Sequence, residues 1–261
     1  MRDLSQWGIL TDFRYSYMTM MPAYEANVMD RFADLLDRGM IKTGSRPVFW
    51  SVKQQKILAE DDFDTTTVLK EAVISKLSIK KFGPKAAKIK RNYPNAKVLV
   101  FTSESWQLCA ANAVAINDKL SYILVKHGNE YLIMAEKRLG EFISRFTSNR
   151  DAKTQFKTLM VFSGAELIDM QIERPFGENG HLPLVVNRDL KWTHGTGIHT
   201  ISPAHNVEDL RLSYAFKLSR SGCIDSATGF LTKPRVLEGT DLAGNEQETC
   251  EMVKTVLKDE G

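Results

Sequence analysis

Three ionisable side chains, His199, His205 and Asp209, fall in one short segment, Gly195-Thr196-Gly197-Ile198-His199-Thr200-Ile201-Ser202-Pro203-Ala204-His205-Asn206-Val207-Glu208-Asp209. The glycines on either side of Thr196 permit tight backbone geometry and the close approach of a ligand. Pro203 stops a strand, and Glu208 and Asp209 can enter the first turn of a helix, which brings the three side chains near one turn. The alternative is a glycine hairpin followed by an N-capping acid. No Ser-His-Asp arrangement stands out, and neither Ser103 nor Ser202 sits in a nucleophile elbow. Cys109, Cys223 and Cys250 are far apart and odd in number, which argues against a disulfide framework and for a reducing compartment. Each is expected to be a small core residue. Without a CxxC or HxxxH-type pair, no metal site is expected.

The elements that must position these groups are mixed. Pro22, Tyr24, Val28, Phe32, Leu35 and Leu36 have helical spacing, closed by Gly39. Pro47 to Trp50 predicts a short strand, and the mixed, finally acidic stretch from Lys53 to Asp64 suits a linker into a new domain. From Val68 to about Leu237 the pattern is rich in strands: 98–101, 121–126, 131–134, 159–162 and 182–186, with a hairpin turn at His127-Gly128-Asn129. A helix is predicted over 136–145 and another over 246–258. Such alternation suggests a mixed α/β domain, a closed or partly closed β-barrel with peripheral helices.

The 261 residues are 43% hydrophobic and 26% charged, ordinary for a globular protein. No window approaches the roughly 18 apolar residues of a membrane span, and the opening, Met1 to Trp7, resembles neither a signal nor a transit peptide. The net charge of +3 does not announce nucleic-acid binding. Lys76, Lys80, Lys81, Lys85, Lys88, Lys90, Arg91 and Lys97 nevertheless crowd one stretch without an acidic residue, which would serve either as a phosphate-binding patch or as a solvated loop.

Three segments together resemble class I aminoacyl-tRNA synthetases of the isoleucyl type. Residues 195–209 are similar to the G-T-G-x-x-x-x-x-P-x-H-x-x-x-D signature of isoleucyl, valyl and leucyl editing domains. Phe101-Thr102-Ser103-Glu104-Ser105-Trp106-Gln107-Leu108, followed by Ala113-Val114-Ala115, resembles the family's threonine-rich strand. Trp7-Gly8-Ile9, Thr11-Asp12-Phe13, Tyr24-Glu25 and Arg46-Pro47-Val48-Phe49-Trp50-Ser51 resemble the catalytic domain just before the editing insertion. The resemblance implies that residues 1–52 are a helical remnant of a Rossmann-type catalytic domain. Residues 53–239 would be the editing domain, and 240–261 a helix leading back. Phe101, Phe49-Trp50-Ser51 and 236–241 lean towards the mitochondrial branch, implying the mitochondrial matrix and otherwise the cytoplasm. Neither the HIGH-type nor the KMSKS-type ATP motif occurs in the sequence.

The implied chemistry is hydrolysis of a mischarged ester, foremost a valyl ester on tRNA, because one methylene separates isoleucine from valine by only about 1–3 kcal/mol. Asp209 would grip the free α-amino group. Thr102 and Ser103 would orient the ester and the attacking water, with no covalent nucleophile and no cofactor; ATP and magnesium would serve the parent enzyme only. Gly195, Thr196, Gly197, His199, Thr200, His205, Trp106 and Gln107 would line the substrate, and Lys81, Lys85 and Lys88 would meet the tRNA. The sequence departs from the pattern where the isoleucyl-type histidine, nine residues before the acid, falls on Thr200. His199 sits one place early, and a local bulge could return it to the pocket. Gln107 replaces a pocket threonine, and Ser105 and Cys109 replace prolines. These departures leave open a degenerate module that binds tRNA without hydrolysing the ester. A valyl- or leucyl-type domain remains a third reading.

Overall fold

The computed structural model describes residues 6–8, 17–67, 72–146 and 156–259, which leaves the opening motif residues Ile9, Thr11, Asp12 and Phe13 outside it. The chain divides into two compact units, 1–45 and 46–261. The first holds helix α1 (Pro22–Asp37), with Pro22 in the first turn, where its missing N–H leaves no hydrogen bond unmade. Gly39 just beyond it has φ +67°, a conformation glycine adopts without a Cβ clash. Val28, Phe32, Leu35 and Leu36 are exposed.

The second unit opens with an antiparallel hairpin, β1 (Phe49–Ser51) and β2 (Lys56–Leu58). A large sheet follows, made of β3 (Val73–Lys81), β4 (Lys97–Thr102), β5 (Ala113–Ile116), β6 (Ser121–His127), β7 (Glu130–Ala135), β8 (Phe156–Ser163), β9 (Gln171–Glu173), β10 (His181–Val186) and β11 (His199–Ile201). Six strands close on themselves in the order β11-β5-β10-β9-β3-β4, because β11 also pairs with β4 through His199 and Phe101. Beyond β4 the sheet runs on through β7, β6 and β8. The helices are short: α2 (Ala87–Asn92), α3 (Leu139–Phe146), α4 (Val207–Phe216) and α5 (Glu246–Asp259).

Alternation along the strands sorts side chains between faces. In β4, Val98 and Val100 join Val114, Ile116 and Ile198 in the main core, while Leu99 turns to a second layer with Ile123, Val125, Leu132 and Met134. A separate cluster under α5 gathers Trp106, Cys109, Cys223, Leu237 and Val253, with Cys250 packed against it. All three thiols are therefore packing residues, as expected. The basic stretch is not a loop in its first part. Lys76, Lys80 and Lys81 are on β3, whose other face buries Leu77, and Ile89 anchors α2 so that Lys85 and Lys88 point to solvent.

The seam between β4, β7 and β11 is sealed by residues 195–198. Thr196 is fully buried, and its hydroxyl lies 2.6 Å from the Leu99 carbonyl and 3.0 Å from that of Ile198. The Ala135 and Phe101 N–H groups donate to the carbonyls of Thr196 and Ile198. Tyr122 donates its phenol to the Gly197 carbonyl at 2.9 Å and accepts from the Asn117 N–H at 3.0 Å. Both flanking glycines have positive φ, and an added Cβ would run into the Phe101 ring at Gly195 and into Ala135 at Gly197. Gly197→Ala is therefore expected to destabilise the domain by about 2–4 kcal/mol, from left-handed strain plus overpacking. Tyr122→Phe, which orphans a buried carbonyl and N–H, should lose about 1–3 kcal/mol. Denaturant unfolding of the two variants measures both losses.

Candidate functional site

The strand pair β4–β11 ends in two facing hydroxyls. Thr102, buried at the end of β4, accepts a hydrogen bond from Thr200 Oγ1 at 3.2 Å. The register His199↔Phe101 sets this pairing, and β11 runs against β5 without a shift through His199↔Ala115, Thr200↔Val114 and Ile201↔Ala113. No bulge intervenes. His199 therefore faces away from Thr200, with its ring on Phe101 (centroids 5.0 Å apart) and Nε2 3.2 Å from the His194 carbonyl. The bulge that could have returned His199 to the pocket is absent: strand alternation keeps Thr200, not His199, beside Thr102.

Asp209 lies in the first turn of α4, but it is not the cap. Asn206 is, with its side-chain oxygen accepting from the N–H groups of Glu208 and Asp209. This frees the Asp209 carboxylate to turn back to the end of β11, where Oδ2 accepts the Ser202 N–H at 2.8 Å. Ser202 in turn donates its hydroxyl to the Gln107 carbonyl at 3.1 Å, tying the acid to the 3-10 turn Ser105–Ala110 that follows β4. Burial pushes the Asp209 carboxyl up to about 6, with the Ser202 N–H opposing that shift and neighbouring Glu208 adding to it. A cation arriving beside it would offset the desolvation and favour the charged form further. The site is thus suited to an ammonium group.

Gln107 is folded onto its own turn. Its Nε2 donates to Glu104 Oε2 at 3.0 Å and its Oε1 accepts from Ser103 Oγ at 3.4 Å. Ser103 is exposed and engaged by this amide. Thr102, Thr200, Ser202, Asp209, Gln107 and Ser103 are thus joined through two hydrogen-bonded groups meeting at the ends of β4 and β11.

The other residues singled out from the sequence lie apart from that network. His205 packs edge-to-face on Trp106, 5.1 Å between centroids, and its Nε2 accepts from the Cys223 N–H at 3.4 Å. Among the described residues no hydrogen bond or ring contact joins His199, His205 and Asp209 to one another. Burial draws both imidazoles below the ordinary histidine value, so they are neutral at pH 7. Gly195, Thr196 and Gly197 act in the seam. Lys81, Lys85 and Lys88 lie towards the far end of β3: Val73 pairs with Thr102, and Lys81 is eight residues on, about 26 Å at ~3.3 Å per residue.

Sequence reasoning missed the buried polar residues that hold the site. Arg138 donates from Nε to the Gly195 carbonyl at 2.7 Å and from Nη1 to that of Thr193 at 3.2 Å. Asn112 bridges the carbonyls of Ala110 and Ser221, both at 3.1 Å, and its N–H donates to the Ile201 carbonyl. Asn112 could have been noticed as one amide among small apolar residues; Arg138 gave no signal. Among the described residues no cluster of three metal-ligating side chains occurs.

The family model described as tRNA synthetases class I (I, L, M and V) matches residues 1–181. Isoleucine--tRNA ligase of Ruthia magnifica is 27% identical over 262 residues, covering 99% of this chain and 27% of that protein. The mitochondrial isoleucine--tRNA ligase of Gallus gallus is 29% identical over 228 residues, covering 86% of this chain and 22% of that protein. The chain spans about a quarter of the length of the curated relatives it matches. Among solved structures, the editing domain of P. knowlesi cytosolic leucyl-tRNA synthetase aligns at 14% identity and a TM-score of 0.44, covering 73% of this chain and 83% of that one. With the family model matched over well more than half of its residues, the chain belongs to the class I tRNA synthetases of the isoleucyl, leucyl, methionyl and valyl group.

Proposed function

We propose that residues 53–239 form an editing domain of the isoleucyl type, which hydrolyses an amino acid wrongly esterified to tRNA, foremost valine. The observation that carries this reading is the buried Asp209 carboxylate, fixed where β11 ends by the N–H of Ser202, two residues along the chain from Thr200 of the Thr102–Thr200 hydroxyl pair. In this reading Asp209 holds the α-ammonium of the aminoacyl group by a charge-assisted hydrogen bond. The threonine hydroxyls orient the ester and a water; the water attacks the carbonyl carbon, and the tRNA hydroxyl departs with the proton. An ester is already reactive, so positioning supplies most of the help and no cofactor takes part. Activation of the amino acid with ATP and magnesium belongs to the longer relatives' other parts. Residues 1–52 and 240–261 would border the catalytic domain, and the chicken mitochondrial relative supports the matrix as the compartment.

A second reading, a tRNA-binding module without hydrolysis, draws on one observation: Gln107 engages the Ser103 hydroxyl that would orient water. Deacylation of Val-tRNA by the chain and by Asp209→Ala separates the two. Hydrolysis predicts a rate above the uncatalysed one and a loss of about a hundredfold or more in the variant, equivalent to about 2.7 kcal/mol. No release above background in either protein leaves the module reading.

The ionised Asp209 is the form that grips an ammonium, and its carboxyl titrates at about 6. The rate should therefore rise with pH through that value and level off above it; a flat profile from pH 5 to 7.5 would argue against the grip. Gln107→Thr releases Ser103 and should raise the rate by about tenfold, read in the same assay. Lys85 and Lys88, which follow β3 at the end remote from Thr102, would contact the acceptor arm of the tRNA. Reversing both charges should weaken tRNA binding and flatten its salt dependence by about one to two counterions.

A further inference from the structure

The outward side of α4 carries charge and an aromatic ring that the candidate site does not use. The helix has its two carboxylates, Glu208 and Asp209, in the first turn. From Leu210 to Ile224 the chain then holds Arg211, Lys217 and Arg220 and no acidic residue. Leu210 and Ser213 are buried, and Leu212 packs on the cluster of Leu190 and Ile201. That packing turns Val207, Arg211 and Tyr214 to solvent at i, i+4 and i+7. Tyr214 is 53% exposed, and the Arg220 guanidinium lies over its ring, 4.0 Å from the centroid. Lys217 ends the helix in the left-handed region, at φ +53°, where glycine is favoured, and its side chain is exposed. Among the described residues Arg211, Lys217 and Arg220 form no ion pair and no side-chain hydrogen bond.

The helix dipole accounts for a cation at Lys217, past the last turn, but not for Arg211 in the second turn or for a half-exposed ring. Uncompensated cations beside such a ring match a nucleic-acid strand: its phosphates supply the missing charge, and its bases stack on tyrosine or on a guanidinium plane. An acidic protein segment would satisfy the cations and leave the ring without a role. Stacking on a side chain needs a splayed, unpaired base, so the strand is single. Asp209 precedes Tyr214 by five residues, about 7.5 Å along the helix axis. A strand whose last nucleotide carries an ester at Asp209 therefore has its preceding unpaired nucleotides within reach of α4.

We propose that the outward face of α4 is a docking surface for single-stranded RNA, the unpaired 3′ nucleotides of the tRNA. Arg211 and Lys217 meet phosphates, and one base stacks on Tyr214, whose ring Arg220 holds from one face. The identity of the strand rests on the tRNA-directed reading above; the hydrolytic step does not enter it.

The test is binding of the full chain to an unacylated tRNA transcript for isoleucine, intact or trimmed of its unpaired 3′ nucleotides. With no amino acid attached, the readout is independent of deacylation, so either reading can fail alone. Trimming should weaken binding about tenfold, and Tyr214→Ala should weaken binding of the intact transcript by about as much while leaving that of the trimmed one unchanged. Tyr214→Phe keeps a ring and should bind as the parent does. Arg211→Gln with Lys217→Gln should lower the slope of log affinity against log salt by about one to two. The proposal is overturned by a Tyr214→Ala variant that binds the intact transcript like the parent, by an equal loss for both transcripts, by a Tyr214→Phe variant as weak as Tyr214→Ala, or by an unchanged salt slope in the double variant. A polyglutamate peptide that displaces the intact transcript more effectively than an oligoribonucleotide of equal length would assign the face to an acidic protein segment instead.

Discussion

The buried hydroxyl of Thr196 is what the rest of the domain depends on. It satisfies two carbonyls, those of Leu99 and Ile198, in a seam where three strands converge and none can supply a full ladder. β4 must share one edge between β7 near its start and β11 at its end. The backbone between those two pairings has to be closed by something other than a strand. Residues 195–198 do this with glycines that approach Phe101 and Ala135 too closely for any Cβ, while Arg138 and Tyr122 saturate the carbonyls left over. Buried polar groups of this kind are stabilising only when all are satisfied, so the seam is expected to be fixed in one geometry.

That geometry dictates the chemistry available. Because His199 pairs with Phe101, Thr200 must stand beside Thr102, and the chain leaving β11 must present the Ser202 N–H to α4. Capping by Asn206 takes over the role the sequence allowed for Asp209, and the carboxylate is released for a second use. Burial raises the cost of its charge, a cost that an arriving cation would offset. The seam, two hydroxyls on strand ends and one desolvated acid in the first turn of α4 form a small constellation.

Much of this was legible before any coordinates. Glycines flanking Thr196, the hydroxyls at 102 and 103 and the acid at 209 were visible as spacing, and β4, β6, β7, β8 and β10 as apolar runs between turn signals. β3 was obscured because its exposed face is lysine-rich and its buried face includes Ser75, which blurs the alternation. That His199 sits one place early, on the face opposite Thr200, was legible from strand alternation; only the register could exclude a bulge that would turn it back. Arg138 was invisible because its role is a contact across 57 positions of chain, and the role of Asn112, though the residue stands out among small apolar neighbours, is a contact across 109.

The claim that the glycine-bounded seam is a permanent part of the barrel is tested most directly by amide hydrogen exchange. The N–H groups of Phe101 and Ala135, which donate to Ile198 and Thr196, and that of Ser202, held by Asp209, are the reporters. The account predicts that the Phe101 and Ala135 amides exchange only through global unfolding, with Ser202 protected nearly as well. Exchange of these amides as fast as that of Gly128 in the exposed β6–β7 turn would mean that the barrel is open at this seam, and would contradict the account.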